Sequence, residues 1–274
     1  MNVPGHASPF AELARKRDLW WQFTVRTVEL RHRGSYLGIV WAGLTPLLML
    51  GLYFVVFGVM FNGRFGVLKD ETSIDYAIAA FLGLILYQLT AETMAIAPSL
   101  IVANPNLVKK VVFPLEVLPL AQLGASWFNL LISLVLLVAG MFTTGRHPTV
   151  EGLLWLPVIL LPLLLLTAGI SWLFAALGVF FRDLAQFMPF VTQIVLYASA
   201  ILIPIRLIQV HPLLWEVLKW NPLLQIVALA RDVVLWDLPL NLNRLGYTYA
   251  AGIAVFFLGR WVFLKLQPAF ADVI

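Results

Sequence analysis

The chain has 274 residues, of which 61% are apolar and only 12% charged, and its mean hydropathy is +0.92. Soluble chains carry about a quarter charged residues, so too little polar surface is available to wrap a globule, and lipid must be the solvent for most of the sequence. The absence of cysteine removes disulfide frameworks, thiolate nucleophiles and sulfur-ligated metals. The net charge of +4 is concentrated at the amino end, which reads as a membrane-surface signal and not as a nucleic-acid one.

Residues 1–34 form a cytoplasmic amino-terminal segment. Ser8-Pro9 offers a helix cap followed by a first-turn proline, and over 8–31 the residues Phe10, Leu13, Trp20, Trp21, Thr24 and Val28 fall within one arc of about 100°. Glu12, Arg15, Lys16, Asp18, Arg26 and Glu29 lie outside that arc. An amphipathic helix lying in the interface is predicted, with Leu19, Phe23 and Leu30 interrupting its polar side.

A charge at a helix centre costs roughly 2.5–3.5 kcal/mol on insertion, so charge-free stretches mark the spans. Residues 34–63, 117–145, 152–181 and 184–205 qualify, since about 20 residues cross the hydrocarbon layer. Two more stretches are interrupted by Glu92 and by Arg260. The prediction is an all-α integral membrane protein with six transmembrane helices, at about 35–61, 76–97, 117–142, 153–181, 187–205 and 245–266, in one domain of 35–266 followed by a tail of 267–274. With that layout 11 basic residues fall on the side of the amino terminus and 7 on the other, which puts both termini in the cytoplasm. No cleavable signal peptide is expected, because the first apolar run begins beyond residue 33 and is longer than a signal's apolar core.

Between spans two and three, the segment 99–116 carries Pro105 and Pro114, with Pro119 beyond, around Lys109-Lys110; a short cytoplasmic helix framed by breaks is predicted. Residues 206–244 are too apolar for a free loop and too charged to span. They form either a re-entrant helical pair, since irregular backbone at membrane depth needs protein or a wet cavity against it, or two helices resting on the outer surface. The halves of the chain do not repeat, unlike inverted-repeat secondary transporters.

Little of this sequence can do covalent chemistry. His6, His32, His147 and His211 fall in separate segments with no ligand spacing, so no metal site is expected. There is no Gly-rich phosphate loop with its Lys and Ser/Thr; nucleotide must be handled by another chain, and the protein is not expected to be an enzyme. Glu92 has no second acid in its span. It is either a pathway or gating group or a structural carboxylate close to the headgroups. Arg182-Asp183 ends the fourth span abruptly, as a specific cytoplasmic contact or an ordinary charged terminus. Tyr53, Phe54, Phe57 and Phe61 make a stripe in the outer half of the first span, suited to sugar C–H faces or to plain helix packing and an interfacial belt.

The run Leu30-Arg31-His32-Arg33-Gly34-Ser35-Tyr36-Leu37-Gly38-Ile39-Val40-Trp41, followed by Pro46 and Phe57, resembles the start of polysaccharide-exporting permeases of the ABC-2 type. Residues 106–119, Asn106-Leu107-Val108-Lys109-Lys110 through Phe113-Pro114-Leu115-Glu116 to Pro119, look like that family's ATPase-docking segment, and Arg182-Asp183, Trp220-Asn221-Pro222 and Arg231 match later landmarks in the same order. Where the family has Ser-Pro after the fifth span, this chain has Ser199-Ala200, with Pro204 following. The resemblance implies a homodimer in the bacterial cytoplasmic (inner) membrane, paired with two ATPase subunits that carry ATP and Mg and exporting a glycan (O-antigen, capsule or teichoic acid) linked to a lipid such as undecaprenyl diphosphate. It further implies coupling through Asn106, Leu107, Lys109, Lys110, Phe113, Pro114, Glu116, Arg182 and Asp183. Arg31, Arg33, Ser35 and Trp41 would serve the lipid pyrophosphate or the membrane surface, and Tyr53, Phe54, Phe57, Phe61, Glu92 and Tyr197 a glycan path. An ABC-2 exporter of drugs or small lipids shares the same plan.

Overall fold

The computed structural model describes residues 17–60, 63–109, 113–143, 145 and 148–274, without the side chains of His32, Phe57 and Thr143. Phe10, Leu13, Arg15 and Lys16 of the expected interface helix, Phe61 of the aromatic stripe and Lys110 of the basic pair lie outside the described residues. Helices account for about four-fifths of the described chain, and no strand occurs among the described residues.

The amino-terminal helix α1 covers Arg17–His32. The first span starts as a tight turn at Gly38–Val40, becomes α2 at Trp41–Tyr53 and widens into a π-helical segment at Phe54–Met60. The second, α3, runs Ser73–Leu100 from a capping box in which Thr72 accepts from the Asp75 amide and the Asp75 carboxylate accepts from the Thr72 amide, satisfying two end amides that would otherwise be orphaned. A short α4 covers Pro105–Lys109. Then come α5, Val117–Thr143, and α6, Val150–Phe180, the latter capped by the Thr149 hydroxyl on the Gly152 amide at 3.0 Å. Beyond α7, Leu184–Ala198, lie the short α8, Ile205–Gln209, and α9, Pro212–Leu218; α10, Pro222–Val234, follows an Asn221 cap, and α11 covers Leu242–Leu266 before a last turn, α12, at Phe270–Val273.

Among the described residues five helical stretches are long and apolar enough to cross a membrane, not six. Five of the expected spans appear: Ser73–Leu100, Val150–Phe180 and Leu242–Val273 are longer than expected, Val117–Phe142 matches its expected bounds, and the first, Gly38–Met60, is shorter. The expected span at 187–205 is the difference: α7 has 15 residues, roughly 22 Å at 1.5 Å each, against about 30 Å of hydrocarbon. Its apolar run continues to residue 205, but Ala200 turns the chain into the left-handed region at φ +53, so helix and hydrophobic run part company there.

The core is built around α3, whose central stretch is 83% buried, and α6. Close helix approach depends on glycine: a Cβ on Gly259 of α11 would fall 2.0 Å from the Gly169 carbonyl of α6, and one on Gly178 of α6 would fall 2.0 Å from the Pro98 carbonyl of α3. In lipid, where no hydrophobic force separates helix from solvent, such backbone-to-backbone contact is what holds spans together. Trp172, fully buried, donates its indole N–H to the Glu116 carbonyl at 3.0 Å and so ties α6 to the start of α5. The first span contrasts sharply, with only 6% of its apolar window buried.

Candidate functional site

Three polar constructions stand out from the apolar bundle. The first joins α1 to two spans. Its helix lies along α5, where the Trp20 indole donates to the Leu120 carbonyl at 3.0 Å and Thr24 sits over Gly124 so closely that a Cβ there would meet its hydroxyl at 2.8 Å. At its far end Arg31 reaches Glu92 of α3 at 2.5 Å and donates to the Ser126 hydroxyl of α5 at 3.1 Å. Burial pushes the Arg31 guanidinium below its ordinary range, and the Glu92 carboxylate acts against that shift. Glu92 therefore sits with the headgroup candidate Arg31 and apart from the aromatic stripe, about 12 Å of helix from Leu100. Arg33, Ser35 and Trp41 are exposed beyond the end of α1.

The second gathers the ends of several helices at one face. Asn106 and Lys109 are exposed on α4, while Leu107 and Phe113 turn inward. The Phe113 ring packs on Phe23 of α1 at 5.0 Å, and Pro114 receives the Val117 amide on its carbonyl, starting α5. A groove of about 330 Å³ separates Leu107, Val108 and Phe113 from Leu264, Gln267 and Pro268 of the carboxyl end. Phe180, at the end of α6, meets Phe270 at 6.1 Å, and the contact of Gly178 with Pro98 brings the exposed Arg182 and Asp183 to the same end of the bundle as α4. Glu116 is placed differently from its neighbours. It is 3% exposed and pairs with Arg260 of α11 at 3.3 Å, so its carboxylate faces the protein interior. Burying either charge alone would cost several kcal/mol, which is why each needs the other.

The third construction holds the break after α7. Ala198 carbonyl and Ser199 hydroxyl both accept from the Asn221 amide at 3.0 Å. Arg231, fully buried, donates to the carbonyls of Ala200 at 2.9 Å, Ile201 at 2.5 Å and Ala79 of α3 at 2.9 Å. The Tyr76 hydroxyl donates to the Leu202 carbonyl at 2.6 Å. Acceptors on five consecutive residues, 198–202, at and beyond the helix end are thus served by three side chains, the condition under which irregular backbone survives away from water. The guanidinium also lies 4.5 Å over the Phe65 ring, and Gly83 leaves the room it needs, since a Cβ would approach Nη2 at 2.4 Å. Glu71 accepts the Phe65 and Gly66 amides and so fixes that ring.

Of the aromatic stripe, Tyr53 and Phe54 are half-buried. Tyr197 of α7 is exposed. Tyr76 and Arg260 carried no sequence signal for their roles: their partners are 126 and 144 residues away, and neither belongs to a local motif.

Residues 18–235 match the ABC-2 type transporter family. The chain is 26% identical to the O-antigen export system permease protein RfbA of Klebsiella pneumoniae, over 94% of this chain and 95% of that one, and 27% identical to the protein of the same name from Myxococcus xanthus, over 79% and 80%. It is 24% identical to the polysialic acid transport protein KpsM of Escherichia coli, over 77% of this chain and 79% of that one. The family match begins in α1 and runs past α10, so it takes in the first and third constructions and the second apart from its α11 and carboxyl-terminal side, and the chain belongs to the ABC-2 type transporter family as a multi-pass membrane protein.

Proposed function

We propose that this chain is the membrane-spanning permease of an ABC exporter that carries a lipid-linked polysaccharide out of the cytoplasm. The observation that carries the reading is similarity to O-antigen export permeases across nearly the full length of both chains; the polysialic acid transport protein adds a second polysaccharide to the same class. ATP and Mg belong to a separate ATPase subunit, because the sequence holds no phosphate-binding loop.

The working unit is a homodimer. A span with 6% of its window buried, exposing Leu47, Leu48, Leu52, Val55 and Val59, together with the exposed Phe187, Phe190, Ile194 and Tyr197 of α7, offers a face for a second copy, with Tyr53 and Tyr197 beside the path. In the bacterial inner membrane, with both termini cytoplasmic, α7 and the clamped turn after it form the fifth of six crossings, α11 is the sixth, and α8 to α10 dip back as a re-entrant cover over the outer exit. Since α3 at 28 residues is about 12 Å longer than the hydrocarbon layer, a cytoplasmic overhang places Arg31 and Glu92 at headgroup depth. Arg31 and Arg33 there meet the pyrophosphate of the lipid carrier.

ATP binding closes the ATPase pair, which then favours one arrangement of α4 and the Phe113 to Glu116 segment. Phe113 passes the movement to α1 through Phe23, and Glu116 passes it to α11 through Arg260. Affinity purification from native membranes tests the assignment. An ATPase at one-to-one stoichiometry with lipid-linked sugar in the same preparation is the expected result, and a chain that recovers neither would overturn it. In that complex Phe113→Ala should lower export while ATP hydrolysis continues uncoupled.

A further inference from the structure

The ion pair of Arg31 with Glu92 has two properties that suit exchange of its carboxylate for another anion. It can be reached from outside: 18% and 19% of the two side chains are exposed, against 9% and 4% in the interior pair of Arg260 with Glu116. The guanidinium is also held at two separate nitrogens, Nη1 meeting the Glu92 carboxylate at 2.5 Å and Nη2 donating to the Ser126 hydroxyl at 3.1 Å. Ser126 is buried and donates onward to the Gln122 carbonyl at 3.2 Å. Removing the carboxylate therefore frees one edge of the guanidinium while the other stays oriented on α5. The chain continues into Arg33, Gly34 and Ser35, all exposed, so a second cation lies two residues beyond the pair.

Every phospholipid presents a phosphodiester to an arginine at headgroup depth, so a bare guanidinium there would be held by whichever lipid is most abundant. Charge separates the two classes of phosphate. A phosphodiester carries a single negative charge, as a carboxylate does, whereas a diphosphate joining a lipid to a sugar carries two and can engage an arginine fork through both phosphoryl groups. On the reading of this chain as an exporter of diphosphate-linked glycan, we propose that Glu92 is the specificity-determining residue of the carrier site: its carboxylate occupies Arg31 against single phosphates and yields only to a diphosphate. A phosphodiester that replaces Glu92 adds no charge and gives up a partner already held in place by α3. A diphosphate adds the second charge, which Arg33 shares, and the displaced carboxylate turns to the solvent that it already touches. The exchange also cuts the ion pair between α1 and α3. Since α1 carries Phe23 against Phe113, arrival of the correct anion is passed to the segment that couples to the ATPase.

The test measures binding of undecaprenyl diphosphate to the complex with its ATPase subunits in maltoside detergent, which contains no phosphate, with and without added phosphatidylglycerol. The wild type should bind the diphosphate equally well in both. Glu92→Gln removes the competing charge, so affinity without phosphatidylglycerol should rise about tenfold, equivalent to about 1.4 kcal/mol, and added phosphatidylglycerol should abolish the gain. Glu92→Asp keeps the charge and should keep the resistance to phosphatidylglycerol, which separates lost charge from general loosening of α1. Arg31→Gln should bind the diphosphate weakly under both conditions. A second measurement needs no variant: undecaprenyl diphosphate, and not phosphatidylglycerol, should increase trypsin cleavage of the wild type after Arg26. If Arg31→Gln loses binding while Glu92→Gln behaves as the wild type, selection by Glu92 is overturned and the carrier site stands. Wild-type binding that phosphatidylglycerol suppresses would likewise overturn the selection, and a diphosphate bound equally well by Arg31→Gln, or by no form of the complex, would overturn the carrier site itself.

Discussion

Arg231 offers the sharpest test of how this fold is held. Its guanidinium donates to three carbonyls, Ala79, Ala200 and Ile201, and stacks on Phe65. Replacing it with Met keeps most of the volume and removes every donor. Interhelical hydrogen bonds in membranes average only about 0.6 kcal/mol, which sets a floor near 2 kcal/mol for three of them, whereas orphaning partners of a buried charge in soluble proteins costs about 3–5 kcal/mol. The expected loss is therefore about 2–5 kcal/mol, or roughly 4–20 °C of melting temperature for a chain of this size. Fluorescence-detected size-exclusion chromatography after heating in detergent reads it directly. Arg231→Lys should fall between the two, because one ammonium on a flexible stem cannot serve three carbonyls held by a planar fork. Were Arg231→Met to melt within about 2 °C of the wild type, the clamp would be incidental and the 198–202 turn would have another support.

Other substitutions probe the remaining connections. Glu116→Ala should destabilise by about 3–5 kcal/mol because Arg260 is left without its carboxylate in a buried site, while the double replacement Glu116→Leu with Arg260→Leu recovers most of the loss; the same melting assay compares them. Arg31→Glu and Glu92→Arg should each loosen α1 and make the bond after Arg26, within the helix, more susceptible to trypsin, and the two together should restore protection. Gly259→Val forces a side chain into the Gly169 carbonyl, so α6 and α11 must separate; overpacking of that kind costs about 1–3 kcal/mol or more, and a variant as stable as the wild type would contradict the close backbone approach described above.

Much of the organisation can be read from charge alone, because a bilayer tolerates few buried charges. The runs free of charge at 117–145 and 152–181 became α5 and α6 almost end to end, and the proline-framed segment holds a short helix at Pro105–Lys109. At 184–205 the charge-free run and the helix do not coincide, the helix covering Leu184–Ala198. Composition there is apolar throughout, but hydropathy does not report where the helix stops, and the stop depends on donors from Tyr76, Asn221 and Arg231 on other elements.

The candidate site divides along the same line. The types of residue, the absence of a nucleotide loop and the order of the landmarks are properties of the chain as written. Their partners are not, because pairing across the bundle depends on three-dimensional register. Glu92 belongs with Arg31, Glu116 pairs with Arg260, and Arg260, which interrupts the last expected span, is a buried counterion. A charge in this sequence could be recognised as expensive from its position alone; only the packed helices decide which group offsets it, since that group lies 61 to 144 residues away and comes within reach when the spans associate.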